Sequence, residues 1–297
     1  MIYKYYNILY RYVMGKGIFL FIGVAALSMS AIFVKLANAP ALIVAFYRLL
    51  FSFIIILPIV LIKNFKELVN INKKDLLLSL IAGIALSLHY SMWFQSLKYT
   101  SVASSTVIVT LQPLFSIIAG YFIFKERYTK LAILGFIIAI VGSVIIGWGD
   151  FRVSAYALFG DILAFISAGL MSANFVLGQC VRKRLSAITY TALTYFSASI
   201  LSFFITIISD TNFVGYPFYT WLNILGLTLI STMLGHVIFM WLLKWFSASV
   251  VSMTILGEAV GACILGYFIL KESISINQII GIIVILFGIG LFLKEHN

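Results

Sequence analysis

Ten apolar runs joined by short connections restrict the fold of this chain more than any other feature. Each run is close to the roughly 20 residues that a helix, rising about 1.5 Å per residue, needs to cross a bilayer. Charged residues make up 10% of the chain, whereas a soluble domain carries about 25%. The sequence therefore predicts an all-α integral membrane protein with ten transmembrane helices. The runs are about 17–36, 40–62, 75–96, 101–124, 130–148, 157–180, 187–209, 218–242, 248–270 and 275–293.

The connections are too short for a soluble domain or a nucleotide-binding cassette. The basic amino terminus precedes an apolar stretch as a signal peptide would, but no small-x-small cleavage site follows, so we expect an uncleaved first helix. We predict five parts: a tail over 1–16, a first five-helix unit over 17–148, a linker over 149–156, a second unit over 157–293 and a tail over 294–297.

Those two units are copies of one another. Residues 97–126 align without a gap with 243–272, and ten of thirty positions are identical, including the Lys–Glu pair that ends both segments. Chance rarely gives such a match. Further paired positions are Gly135 with Gly281, Gly142 with Gly288, and 28–34 with 170–176.

An odd number of helices per copy means that the second copy enters the membrane from the opposite side. We therefore predict inverted repeats. Inverted repeats are typical of alternating-access carriers, whose binding site lies near the midplane between the copies. Channels and lipid scramblases can also be inverted, and they remain an alternative from another class.

Basic residues set the expected orientation. Most of the 20 Lys and Arg residues fall in alternate connections, and an excess of basic residues marks the cytoplasmic side. We predict that both termini are cytoplasmic, in a bacterial inner membrane. The net charge of +11 is explained by this bias and by attraction to anionic lipid, so no nucleic-acid partner is needed. The exceptions are Lys35, Lys98, Arg152 and Lys271 outside and Arg48 within the membrane.

Several segments also resemble a known family. PALIVAFYRLLFSFIIILP at 40–58, LQPLFSIIAGYFIFKE at 111–126 and LGEAVGACILGYFILKE at 256–272 are similar to the EamA-type family of the drug/metabolite transporter superfamily. The resemblance implies ten helices in two inverted repeats around a central cavity, and export of amino acids or related metabolites. Ala259 stands where the first copy has Pro113, and the family often has Pro at both positions. A proline kink is therefore not expected in the ninth helix.

Charged side chains deep in an apolar run point to a site. Such groups cost about 2.5–3.5 kcal/mol on insertion scales and should face a cavity or a partner. Glu258 lies near the middle of the ninth run, and its repeat equivalent is Gln112. A carboxylate at that depth could bind a substrate ammonium, carry a coupling proton or pair with a structural donor, and the sequence leaves the three open.

Two cations are interpreted as structural. Arg48 in the second run could hold a substrate carboxylate, but it also matches the family's arginine in that helix. We favour anchoring, either to helix-end carbonyls or to Glu258. Lys35 lies at the end of the first run, where a lysine can extend towards the membrane surface.

Aromatic and small polar residues complete the candidate site. His89 and Trp93 are four residues apart and share a helical face, with Tyr90 beside them. His236 is the repeat partner of Tyr90. Such rings could stack on an aromatic or cationic substrate, or simply pack. Asn174, like other small polar groups of the sixth run, is either a ligand or a link between helices.

The remaining features argue against an enzyme. Three His and two Cys are scattered without a spacing that suits metal binding or a catalytic pair, so we predict no metal, cofactor or catalytic residue. The glycines of the fourth, fifth, ninth and tenth runs serve either packing within the chain or a homodimer interface. We predict a secondary carrier that exports an amino acid or related amine; uptake of an amine nutrient or efflux of cationic drugs is the alternative.

Overall fold

The computed structural model describes residues 2–100, 102–147, 155–271 and 274–294, and this part of the chain contains helices and no β-strand. The α-helices are α1 Ile2–Leu36, α2 Ala41–Lys63, α3 Phe65–Val69, α4 Lys73–Tyr99, α5 Val102–Val109, α6 Gln112–Ile123, α7 Lys130–Gly147, α8 Ala155–Val181, α9 Ala187–Ile208, α10 Phe218–Gly226, α11 Val237–Leu242, α12 Ala248–Ile255, α13 Gly257–Leu265 and α14 Ile276–Lys294. Two π-helical segments, Leu227–His236 and Gly266–Leu270, continue α10 and α13.

These helices fall on the apolar runs. Eight helical stretches of the described residues are long and apolar enough to cross a membrane, and the fourth and fifth runs correspond to shorter apolar helices, Val107–Ile123 and Lys130–Ile146. Most of the predicted linker, with Arg152, and residues 295–297 of the predicted carboxyl-terminal tail lie outside the described residues.

Two runs are interrupted at nearly equivalent positions. The fourth run breaks between α5 and α6, where Leu114 N donates to Leu111 O at 2.9 Å. The ninth run breaks at Leu256, where Ala259 N donates to Leu256 O at 3.3 Å. Both are tight turns of the 3₁₀ type. Pro113 explains the first, because proline favours the first turn of a helix, whereas the second forms without a proline.

Four glycines let α7 and α14 approach each other closely. A Cβ at Gly135 would lie 2.7 Å from Gly288 O, and one at Gly142 would lie 2.9 Å from Gly281 O. Position 135 therefore faces 288 while 142 faces 281, so the two helices run antiparallel. The sequence left open whether these glycines serve packing within the chain or a homodimer interface. In the structure these four pack within the chain.

Large apolar side chains cover the outside of the bundle, as a surface that faces lipid requires. Phe122 and Phe268, which are repeat equivalents, are each 65% exposed. The buried interior is formed mainly by α1, α2, α4, α8, α9, α11 and α12.

At one face of the bundle, the carboxylate of Glu67 links the connection after α2 to the amino-terminal end of α9 by hydrogen bonds. Glu67 in α3 accepts hydrogen bonds from Ser186 N at 2.6 Å and Asn64 Nδ2 at 3.0 Å, and also from the Thr189 hydroxyl. Partial burial opposes its ionisation, but these donors outweigh burial and lower the pKa of Glu67. In the connection between α8 and α9, burial lowers the pKa of Arg182 to about 10, so both groups stay charged at neutral pH.

Candidate functional site

A central cavity lies between helices of both copies. Its walls come from α1, α2, α4 and α8, from the break between α5 and α6, and from α12 and α13. About 70 Å³ is open to the centres of water-sized molecules, enough for several waters, since one water needs about 10–15 Å³. The polar lining residues are Ser30, Arg48, His89, Tyr90, Trp93, Thr110, Gln112, Ser252 and Glu258.

Glu258 brings the only carboxylate among the described lining residues. It lies in the first turn of α13, where the partial positive charge of a helix N-terminus favours an anion. Its main-chain oxygen accepts a bond from Ser28 Oγ at 3.4 Å. Its carboxylate oxygens have no hydrogen-bond or ion-pair partner among the described residues, so they are available to a ligand.

Gln112, the repeat equivalent of Glu258, opens α6 and lines the same cavity. Its amide is already engaged, because Nε2 donates to Ser252 Oγ at 3.0 Å. Ser252 Oγ also lies 2.7 Å from Ser116 Oγ. The two equivalent positions therefore differ in chemistry: the amide is tied to a neighbouring helix, while the carboxylate faces the cavity.

Arg48 is 1% exposed and crosses from α2 to two other helices. Its Nε donates to Thr232 Oγ1 at 2.8 Å and Nη1 donates to Ser30 Oγ at 3.3 Å. Its guanidinium carbon lies 4.4 Å from the centroid of the Tyr90 ring, a cation–π contact. The described residues include no ion pair within 4 Å between Arg48 and Glu258. Arg48 both links helices and presents positive charge to the cavity.

His89 and Trp93 form one wall of the cavity on α4. Their rings are stacked with centroids 5.9 Å apart, and His89 Nδ1 lies 2.8 Å from Ser167 Oγ. The indole Nε1 of Trp93 is buried and has no hydrogen-bond partner among the described residues. A buried donor without a partner is costly, so a ligand acceptor or a side-chain rearrangement would stabilise it.

Three predicted residues lie away from the cavity lining. His236 Nδ1 lies 2.7 Å from Tyr195 Oη, and its Nε2 lies 3.2 Å from Asn174 Oδ1. Asn174 Nδ2 donates to Ala82 O at 3.0 Å. This fully buried network connects four helices. Lys35 is exposed at the end of α1.

The sequence reasoning did not select three other polar lining residues, Ser30, Thr110 and Ser252. It also missed Thr232, which holds Arg48. Ser30 carried a signal, because it is paired with Ser172 between the copies, but it was interpreted only as a link between helices. Thr110 and Ser252 are small hydroxyl residues in apolar runs, where such residues are common and seldom distinctive.

The sequence profile of the EamA-like transporter family matches residues 15–148 and again 158–294. The chain belongs to the EamA-like transporter family. It is accordingly a multi-pass membrane transporter and not an enzyme. The two matches together cover both units that carry the cavity walls.

Several similar relatives are themselves described as uncharacterized transporters. One from Clostridium kluyveri is 26% identical over 79% of this chain and 78% of its own length. One from Archaeoglobus fulgidus is 26% identical over 92% of this chain and 97% of its own length. Another is YoaV of Bacillus subtilis, which is 23% identical over 86% of this chain and 88% of its own length. A solved crystal structure with 15% identity superposes with a TM-score of 0.79, covering 95% of this chain and 98% of that one, which establishes the likeness in fold.

Proposed function

We propose that this transporter is a secondary carrier that moves an amino acid or a related amine by alternating access, in the direction of export. The observation that carries the proposal is the Glu258 carboxylate, which faces the central cavity without a partner among the described residues. A carboxylate at membrane depth that lacks a hydrogen-bond partner is unfavourable. A substrate ammonium would neutralise it.

Other lining groups are positively charged or donate hydrogen bonds, in contrast to the Glu258 carboxylate, and this supports a zwitterionic substrate. Arg48 brings a positive charge to the cavity, and Trp93 lines it with a buried indole N–H that has no partner among the described residues. A substrate carboxylate would be stabilised by either group, by charge-assisted hydrogen bonding in the case of Arg48. An amino acid has one ammonium, which would pair with Glu258, and one carboxylate, which would pair with Arg48 or Trp93.

The architecture that we propose is ten crossings in two inverted five-helix repeats, in a bacterial inner membrane with both termini in the cytoplasm. The antiparallel contact between α7 and α14, which are equivalent helices of the two copies, supports the inversion. The concentration of Lys and Arg in alternate connections supports the orientation.

Alternating access is favoured by the size of the cavity. Space for several waters is too small for free passage of an organic solute, so cargo must be admitted by movement of the walls. Efflux of cationic drugs, or uptake of an amine nutrient, is the second candidate. The stacked rings of His89 and Trp93 beside the carboxylate favour it, because aromatic faces attract cations.

Counterflow in liposomes tests the proposal. Purified protein would be reconstituted and the exchange of labelled amino acids and amines measured for wild type, Glu258→Gln and Trp93→Ala. We expect saturable exchange of one compound class, at least about tenfold slower in Glu258→Gln, a loss of about 1.4 kcal/mol.

The matched control is Glu67→Gln, which neutralises a carboxylate far from the cavity lining and should leave exchange close to wild type. Unchanged exchange and pH dependence in Glu258→Gln would remove Glu258 from the mechanism. Leakage of dye or lipid without saturable exchange would instead indicate a channel or a scramblase.

A further inference from the structure

A continuous set of hydrogen bonds leads away from the cavity between α6, α8 and α12. It begins with Gln112 and Ser252, described above. Ser116 Oγ lies 2.7 Å from Ser252 Oγ and 2.8 Å from Ser172 Oγ. Ser249 Oγ, one turn closer to the amino-terminal end of α12, lies 3.1 Å from Ser116 O.

The set ends at Glu126, in the connection that follows α6. Its Oε2 accepts hydrogen bonds from Tyr128 Oη at 2.6 Å and from Ser249 Oγ at 3.1 Å. Its Oε1 accepts one from Gln179 Nε2 at 3.2 Å. Gln179 Oε1 in turn accepts a bond from Ala248 N at 2.6 Å. One carboxylate of the first copy thereby joins two helices of the second copy. We call this set the polar seam: Gln112, Ser116, Glu126, Tyr128, Ser172, Gln179, Ser249 and Ser252.

The connection is shaped to place Glu126 there. Lys125 adopts a left-handed backbone conformation with φ of 58°, and Glu126 N donates back to Gly120 O at 3.0 Å. A Cβ at Gly120 would lie 2.2 Å from Tyr128 Oη and 2.7 Å from Glu126 Oε2, so the absent side chain makes the necessary space. Burial, and then the neighbouring Glu126, raise the pKa of Tyr128, and the phenol keeps the proton that it donates.

The second copy repeats the left-handed lysine but differs in sequence at the positions that correspond to the seam donors. Lys271 is left-handed like its equivalent Lys125, with φ of 60°, and Glu272 follows it in the sequence. Four residues of the seam near Glu126 have apolar equivalents in the second copy. The side chains of these equivalents cannot donate hydrogen bonds. Ser116, Ser249, Gln179 and Tyr128 are replaced by Ala262, Ala103, Ala37 and Ile274.

We propose that Glu126 is a gating residue, which closes the cytoplasmic half of the transport path by holding α6, α8 and α12 together through the polar seam. This inference rests on the proposed alternating-access function and orientation. Because apolar residues stand at the four equivalent positions of the second copy, the state closed towards the cytoplasm is the more stable of the two. When the Glu126 bonds break, the seam hydroxyls line a polar route between the cavity and the cytoplasm.

Accessibility of a cysteine in the cavity tests the gate without any substrate. Ala262→Cys places a thiol on a lining position of α13, in a background where Cys180 and Cys263 are replaced by Ser. A membrane-impermeant maleimide would be applied to inside-out and to right-side-out vesicles. We expect Glu126→Ala to raise the labelling rate from the cytoplasmic side about tenfold, because the loss of three bonds shifts the population towards the cytoplasm-open state.

Tyr128→Phe keeps the ring and removes one donor, so it should raise cytoplasmic labelling by a smaller factor, about threefold. If the Glu126→Ala protein does not fold, this milder variant still tests the gate. Glu67→Gln is the matched control, since it weakens another carboxylate cluster of the same face that lies outside the seam.

Unchanged cytoplasmic labelling in both seam variants would overturn the gate. An equal rise in Glu67→Gln would also overturn it, because general loosening of that face would then suffice. Counterflow plays no part in this assay, so a failure of the amine proposal and a failure of the gate remain distinguishable.

Discussion

The two copies place different chemistry at equivalent positions of one cavity. Gln112 and Glu258 each open the second segment of an interrupted helix. Gln112 is bonded to Ser252, while the Glu258 carboxylate has no partner among the described residues. Duplication thus explains the similar backbone of the two copies. The differences between equivalent residues determine which polar and charged groups a substrate would contact.

The largest expected effect comes from moving the carboxylate between the copies. Glu258→Gln should slow amine exchange by up to about a hundredfold, which corresponds to about 2.7 kcal/mol of lost interaction. Adding Gln112→Glu to that protein should restore part of the rate, because the carboxylate returns to the same cavity from the other copy. Initial counterflow rates measure both. A double variant no faster than the single one would show that the two positions are not equivalent in function.

The glycine contact between α7 and α14 tests the equivalence of the scaffold. A Cβ at Gly288 would lie 2.5 Å from the backbone N of Ala139, and one at its equivalent Gly142 would lie 2.7 Å from Ile285 N. Gly288→Ala and Gly142→Ala should each destabilise the protein by about 1–3 kcal/mol through overpacking. Thermal unfolding in detergent measures the loss.

Gly290→Ala is the control for this pair, because a Cβ there meets nothing within 4 Å. Its unfolding midpoint should stay near that of the wild type or rise. If only one of the two contact variants were destabilised, the symmetric packing would be contradicted.

Two histidines within the membrane allow a comparison of cavity and interior. His236→Phe should cost about 1–3 kcal/mol of stability, since Tyr195 and Asn174 would lose their partner, while the apparent KM for substrate stays within about twofold. His89→Gln should instead raise KM about threefold to tenfold, because His89 lines the cavity beside Trp93. Exchange kinetics and thermal unfolding separate the two effects. A large KM change in His236→Phe would place the pocket differently.

The smallest effect concerns the connection after α2, where α3 carries Glu67. The equivalent connection of the second copy, residues 210–217, contains no helix. The folded pKa of Glu67 lies below its ordinary value of 4.5. Its stabilising contribution is therefore present above about pH 4.5 and is lost as the pH falls through the lower, folded pKa. Glu67→Gln should lower stability at pH 7 by less than about 1 kcal/mol, because water screens the group. The difference from wild type should vanish in acid; a difference independent of pH would contradict this.

Much of the fold was accessible from the residues. The predicted run 218–242 coincides with α10, the π-helical segment and α11, and the run 248–270 coincides with α12, α13 and the second π-helical segment. Length and apolar composition decide such boundaries in a membrane. Glu258 was selected because a carboxylate in an apolar run has few explanations, and it lies in the cavity lining.

Other parts of the site could not be read in this way. Which face of a helix lines the cavity depends on its rotation, and a π-helical segment changes that rotation by widening the turn. His236 ends such a segment, which places it with Tyr195 and Asn174 in the interior although its repeat partner Tyr90 lines the cavity. The break at Leu256 without a proline, and the burial of the Trp93 indole N–H without a partner among the described residues, depend on neighbours that are distant in the chain.

The sequence by itself determined the membrane environment, the helical segments, the duplication and the family resemblance, because these follow from composition, period and identity along the chain. Only the tertiary structure decided which polar groups meet. The engagement of Gln112 with Ser252, the availability of the Glu258 carboxylate and the convergence of Tyr128, Gln179 and Ser249 on Glu126 all join residues that are far apart in sequence. Hydrogen bonds act over about 3 Å, so their partners are fixed by how the helices pack and not by the order of residues.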